Sequence, residues 1–127
     1  MAAASDFLED QILTLVLVTG PAWLALSTAN PLDSGAGIAE PVGAGYARKN
    51  LAGLFTVTGG GAGTAPNSGV IEFAPATGSW GTITHVAIFD ASTGGNMKIH
   101  SPIGSPISIG LNQVLRFIVN AFTMTVA

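Results

Sequence analysis

The feature that most constrains this chain is its punctuation. From Trp23 onward no apolar run continues far before Gly, Pro, Asn, Asp or Ser interrupts it. Runs of that length suit strands, and turn residues at such spacing mark the corners between them. The pattern predicts strands over Trp23–Thr28, Tyr46–Val57, Val70–Ala74, Gly81–Phe89, Met97–His100, Ile107–Ile109 and Val114–Val126. Asn30-Pro31 and Asp33–Gly37 stop the first of these, and Pro102 and Pro106 flank a short connection before Ile107. Asp90–Asn96 (DASTGGN) reads as a hairpin turn in which Gly94-Gly95 supplies positive φ. Thr58–Ser68 (TGGGAGTAPNS) has no periodicity and reads as a loop. Short strands with frequent turns give an all-β antiparallel sandwich or barrel.

The first twenty residues follow another rule. Leu8, Ile12, Leu15, Val16 and Thr19 recur at helical spacing, and Leu13 and Leu17 widen the face until the second half is apolar nearly all round. Ser5 is placed as N-cap, with Asp6, Glu9 and Asp10 in the early turns, where the helix dipole favours negative charge. Gly20-Pro21 ends the helix. A strand over Ile12–Val18 is the rival reading. A helix this apolar is covered on more than one side, so Leu8, Ile12, Leu13, Leu15, Val16 and Leu17 are the expected interface residues. The whole of 1–127 is read as a single domain, an N-terminal helix arm over 1–20 and a β-sandwich over 21–127.

Two strands carry a face change. Leu115, Phe117 and Val119 alternate on odd positions, then Phe122, Met124 and Val126 on even ones. Strand side chains keep period two, so a bulge or a change of layer is expected near Asn120-Ala121. Gly81–Phe89 does the same, with Ile83 odd but Val86 and Ile88 even.

Charged residues make up only 9% of the chain, hydrophobic ones 48%, and the mean hydropathy is +0.54. A monomer ordinarily relies on a charged surface to resist association, so much of this surface is expected to be covered by an assembly. Arg48, Lys49, Lys98 and Arg116 are scattered and cannot form the basic patch that nucleic acid requires. With no cysteine, disulfides, thiolate metal sites and Cys nucleophiles are excluded. Ile12–Leu26 is too short for a membrane span and is broken by Gly20-Pro21. Three acids and no cation precede it, against a signal peptide, so no targeting segment and no membrane partner are expected.

The chemistry-bearing residues are few. His85, His100, Asp90 and Glu72 could be assembled on paper into a hydrolytic set, yet no GxSxG elbow or HExxH helix accompanies them. Two histidines without cysteine are a poor start for a metal site. Gly59–Gly63 lacks the GK[ST] of a phosphate cradle and no helix opens after it. Trp23, Trp80 and Tyr46 each lie beside an expected strand and read as core before sugar platform. No catalytic residue, metal or cofactor is expected.

Several segments taken in order do carry a resemblance: Ser5-Asp6-Phe7-Leu8-Glu9-Asp10, then Ala25–Pro31, then Glu40 followed by Gly45-Tyr46-Ala47-Arg48. Asn67, Ile71–Ala76, Trp80–His85, Phe89-Asp90-Ala91 and Gly94-Gly95-Asn96 continue it. Together they resemble a family of small structural virion proteins of tailed phages and prophages, often labelled tail-fibre proteins. The resemblance implies a non-enzymatic virion component made in the host cytoplasm, with a jelly-roll-like β-sandwich. It implies fold-determining roles for Gly45, Gly94 and Gly95 (backbone geometry), Arg48 and Asp90 (polar clasps) and Trp80 (core). The implied partners are the chain itself, as a dimer or trimer, and the major capsid protein or other virion proteins. A capsid cement or decoration protein is the leading expectation, and a tail-fibre or receptor-binding module the alternative.

Overall fold

The computed structural model describes residues 5–57, 64–119 and 123–125. The described residues are mostly β, in antiparallel pairings, with one short N-terminal helix, which is the class read from the sequence. The jelly-roll order, two Greek keys across two sheets, is a finer statement than these pairings carry. The chain divides into two compact units: Met1–Ala22 with Leu51–Ile71 and Phe117–Ala127, and Trp23–Asn50 with Glu72–Arg116.

The first unit begins with helix α1 (Asp6–Thr14), capped by Ser5, whose Oγ accepts from the Leu8 N–H at 3.3 Å. Leu15–Thr19 continue it as one turn of π-helix, closed by the Gly20 N–H on the Leu15 carbonyl at 3.0 Å. Pro21 forces Gly20 into an extended conformation (ψ 158°), and the helix stops there. A strand over Ile12–Val18 is thereby ruled out. Strands β3 (Thr64–Pro66) and β8 (Thr123–Thr125) pair antiparallel, Thr64 opposite Thr125 and Pro66 opposite Thr123. Leu13, Leu17, Leu51, Phe55 and Ile71 are buried. The fully buried Asn67 side chain donates to the carbonyls of Gly69, Phe117 and Ile118 at 2.8, 3.3 and 2.9 Å, pinning three stretches of backbone with one amide.

The second unit is built on a four-stranded sheet in the order β2-β1-β5-β6: β2 Lys49–Asn50, β1 Trp23–Ser27, β5 Gly81–Phe89 and β6 Met97–Ile109. The pairs Leu24–Ile88 and Leu26–Val86 share one face, and Ala25–Ala87 shares the other with Phe89. Leu24 through Ser27 are all buried, so β1 is covered on both faces. Ile38 and Met97 close over Ala25, Ala87 and Phe89. Two short strands, β4 (Ile71–Glu72) and β7 (Arg116–Phe117), pair at the ends of a ladder in which Phe73 and Ala76 donate to the carbonyls of Leu115 and Gln113.

Four differences from the sequence reading have physical causes. Tyr46–Val57 is not one strand: it pairs at Lys49–Asn50 and again at a single antiparallel bridge from Phe55 to Asn67, and between them Leu51–Leu54 is a turn with Gly53 at φ +75°. Its apolar residues signal burial of Leu51 and Phe55, not a strand. Met97–His100 and Ile107–Ile109 are one continuous strand, β6, because a strand at a sheet edge tolerates Pro102 and Pro106. The expected loop Thr58–Ser68 contains β3, while residues 58–63 lie outside the described residues. Val114–Val126 holds two short strands, β7 and β8, and the expected face change at Asn120-Ala121 also lies outside the described residues.

The other face change is present. Register runs Ile83–Ile107 and then His85–Pro102, so β5 advances two residues (83 to 85) while β6 uses five (107 to 102). Residues 103–106 therefore stand opposite Thr84 alone. The break falls between odd Ile83 and even Val86, where the apolar set changes sides.

Candidate interaction surfaces

Within the second unit the best-defined polar constellation centres on Arg48. Its Nε and Nη2 donate to the two carboxylate oxygens of Glu40 at 2.9 and 2.8 Å, a planar fork that only arginine offers. Nη1 donates to the carbonyls of Ala91 and Gly94 at 2.9 and 2.8 Å. The guanidinium lies 3.9 Å above the Phe89 ring, and only 6% of the side chain is exposed. Glu40 accepts a further bond from the Tyr46 hydroxyl at 2.7 Å, which in turn accepts from the Leu26 N–H at 3.0 Å. Tyr46 thus occupies the edge of β1 beyond the reach of two-residue β2.

The electrostatics follow the geometry. Burial alone would raise the Glu40 carboxyl; the hydrogen bonds from Arg48 and Tyr46 and the guanidinium charge outweigh it and hold the pKa below its ordinary value. The hydrogen bond to Glu40 raises Arg48 further against the opposing effect of burial. Burial, then the bond to Glu40, pushes the Tyr46 phenol well up.

The 90–96 turn that Arg48 grips is also tied from within. Asp90 Oδ1 accepts from the Asn96 N–H at 2.8 Å and Oδ2 from its side-chain amide at 3.1 Å, and these bonds depress the Asp90 pKa, the backbone one most. Gly94 and Gly95 sit at φ +59° and +74°, and a Cβ on Gly95 would run into Asp90 Oδ1. Gly45, at φ +75°, turns the chain into Tyr46 beneath Thr77. Trp80 is buried edge-on to Tyr46 and Phe73, with ring centroids 5.4 and 6.2 Å away, and donates Nε1–H to the Ala44 carbonyl at 2.9 Å. These contacts spend the unit's best polar groups on its own backbone.

The histidines are not gathered. His85 bonds the neighbouring Thr84 hydroxyl at 2.8 Å, His100 bonds the exposed Asp33 at 2.9 Å, and Asp90 is held by Asn96. Among the described residues no group of three or more His, Asp or Glu could hold a metal ion, and no helix is long and apolar enough to cross a membrane.

Of the six helix residues read as an interface, the structure buries two and leaves two open. Leu13 and Leu17 are buried, Ile12 and Val16 are partly covered, and Leu8 and Leu15 are 46% and 64% exposed. Phe7 (71%) and Val18 (48%), which sequence reasoning passed over, lie open beside them. Glu40, which the resemblance set in one segment with Tyr46 and Arg48 but to which no role was given, is the acid of the Arg48 clasp; at six and eight residues from them its spacing alone signals no contact.

A β-rich module whose ionic groups lock its own loops, and whose exposed helix is apolar, has the character of a structural building block. The family model for the podophage GP4 fiber I protein gp80 matches residues 3–125, and the chain belongs to that family. It is a fibre-type family of phage virion structural proteins, in agreement with the resemblance drawn from the sequence. No curated protein matches the chain.

Proposed function

We propose that the chain is a non-enzymatic structural subunit of a podophage virion, working in its fibre apparatus through contacts with copies of itself and with neighbouring virion proteins. The observation that carries this reading is the family match, which spans residues 3–125. Physical support comes from the use of charge. Arg48 and Glu40 hold the 90–96 turn, Arg116 and Glu72 pair at 2.9 Å, and little charge is left to keep copies apart. The expected capsid-cement role is the second reading; the low charge and the exposed apolar side chains favour it equally.

Location and copy number decide between them. A fibre subunit follows the low-order symmetry of the tail, whereas a cement protein follows the capsid lattice and occurs in far greater number. Quantitative mass spectrometry of purified virions, with gold-labelled antibody in electron micrographs, reads both. Label confined to fibres at low copy number is expected; label over the capsid shell refutes the fibre role and leaves cement. Full infectivity of phage carrying His85→Ala with His100→Ala is expected for a non-enzymatic subunit, and loss of infectivity by a variant that still assembles would count against it.

A further inference from the structure

Strand β6 ends the sheet: in the order β2-β1-β5-β6 no strand lies on its outer side among the described residues. An open edge of 13 residues, in a chain with 9% charged residues, is a ready template for one copy to add to the next. The opposite end of the sheet is covered from within the chain. There β2 pairs with Trp23 and Leu24, and the Tyr46 hydroxyl accepts the Leu26 N–H. On β6 the protection is written into the strand itself.

Pro102 stands opposite His85 in a regular stretch of the ladder. Proline has no N–H, so it suits a position whose backbone turns away from β5 and toward the open edge. There it presents a carbonyl and no donor. Past Pro102 the ladder breaks, and Pro106 lies in the extruded piece 103–106. At the other end Ile88 faces Ile99 and Phe89 faces Met97, so Lys98 is an extra residue on β6. Regular pairing on β6 is thereby cut into two runs, 99–102 and 107–109. Both are shorter than the usual strand of about five or six residues, and the irregularities between them twist the edge away from a flat neighbour.

We propose that β6 is an edge closed to strand addition, with Pro102, Pro106 and the extra residue at Lys98 keeping copies of this chain from joining sheet to sheet. The proposal goes beyond the fibre reading and does not depend on it. A subunit with little charge to hold copies apart needs another way to stay discrete until it meets its proper neighbours, and a broken edge provides one. Contacts between copies then run through side chains and not through an extended sheet.

The test restores the missing donors. Pro102→Thr with Pro106→Thr in the full chain changes two exposed residues and gives each a backbone N–H and a strand-forming side chain. Sedimentation velocity over a concentration series reads association, and circular dichroism reads the fold. Two recovered hydrogen bonds per copy are expected to bring association on at a concentration about tenfold or more below that of the wild type. The His100 amide, two residues before Pro102 and turned to the same edge, should become protected from hydrogen exchange in the associated form. Pro75→Thr, at an exposed proline outside the sheet, should behave as the wild type. Unchanged association in the folded double variant overturns the proposal. So does equal association by Pro75→Thr, or association that leaves the His100 amide exchanging freely. Should the double variant not fold, Pro102→Thr alone is judged by the same three readings. The gold-label experiment decides the fibre role whichever way this one falls.

Discussion

Replacing Arg48 by Met keeps a long apolar stem over Phe89 and deletes four charge-assisted hydrogen bonds at once. Removing one partner of a buried ion pair costs about 3–5 kcal/mol, because the other charge is left without compensation. Here the lower end applies. The Glu40 side chain is 22% exposed, and water can reach part of the carboxylate. At about 3 kcal/mol, and about 3 °C of melting temperature per kcal/mol for a chain of this length, the melt should fall by about 10 °C. Arg48→Lys keeps the charge but not the fork and should lose about 2 kcal/mol. Pairing Arg48→Met with Glu40→Gln removes the stranded charge while preserving an acceptor for Tyr46, and should be less damaging than Arg48→Met alone. Thermal melts and urea midpoints on the three variants provide the measurement. A fall of under about 3 °C for Arg48→Met would show that the pair is solvent-screened and does not hold the 90–96 turn.

Three further outcomes are expected. The Glu40 carboxyl lies below its ordinary 4.5 in the folded protein, so its contribution to stability is present above pH 4.5 and is lost as pH falls through the lower folded value. Urea midpoints taken from about pH 6 to about pH 3 should therefore drop more steeply for the wild type than for Glu40→Gln. Leu13→Ala should lose about 2–4 kcal/mol by opening a cavity, whereas Leu15→Ala, at an exposed position, should stay within about 0.5 kcal/mol. Gly95→Ala should lose about 1–3 kcal/mol, since a left-handed backbone and the Asp90 carboxylate both oppose a Cβ, and more than Gly94→Ala, whose Cβ would meet open space; a reversed order would show that the turn relaxes.

What could be read from the sequence was what local chemistry decides. Gly81–Phe89 has the predicted bounds, and its odd-to-even change at Ile83 and Val86 is a register break in the ladder. Ser5, Gly20 and Pro21 set the helix limits because a cap and a breaker act on their own backbone. What stayed hidden depends on position in the sheet or on distance along the chain. Pro102 and Pro106 look like the ends of strands until β6 is known to be an edge. Leu51–Phe55 looks like a strand because buried turns and strands share a composition. The Glu40–Tyr46–Arg48 network needs a turn at Gly45 to bring its members together, and Arg48 reaches Ala91 and Gly94 across more than forty residues. On the helix, periodicity identified an apolar surface but could not say that the fold buries Leu13 and Leu17 and leaves Leu8 and Leu15 open.

The division into two units has an optical counterpart. Both tryptophans and the single tyrosine, Trp23, Trp80 and Tyr46, fall in the unit formed by Trp23–Asn50 and Glu72–Arg116. Indole emission therefore comes only from residues of that unit, while the amide signal of the far ultraviolet reads the backbone of both. A melt followed at the two wavelengths separates the halves of one small chain without any label, and coincident curves would mean that they unfold as one.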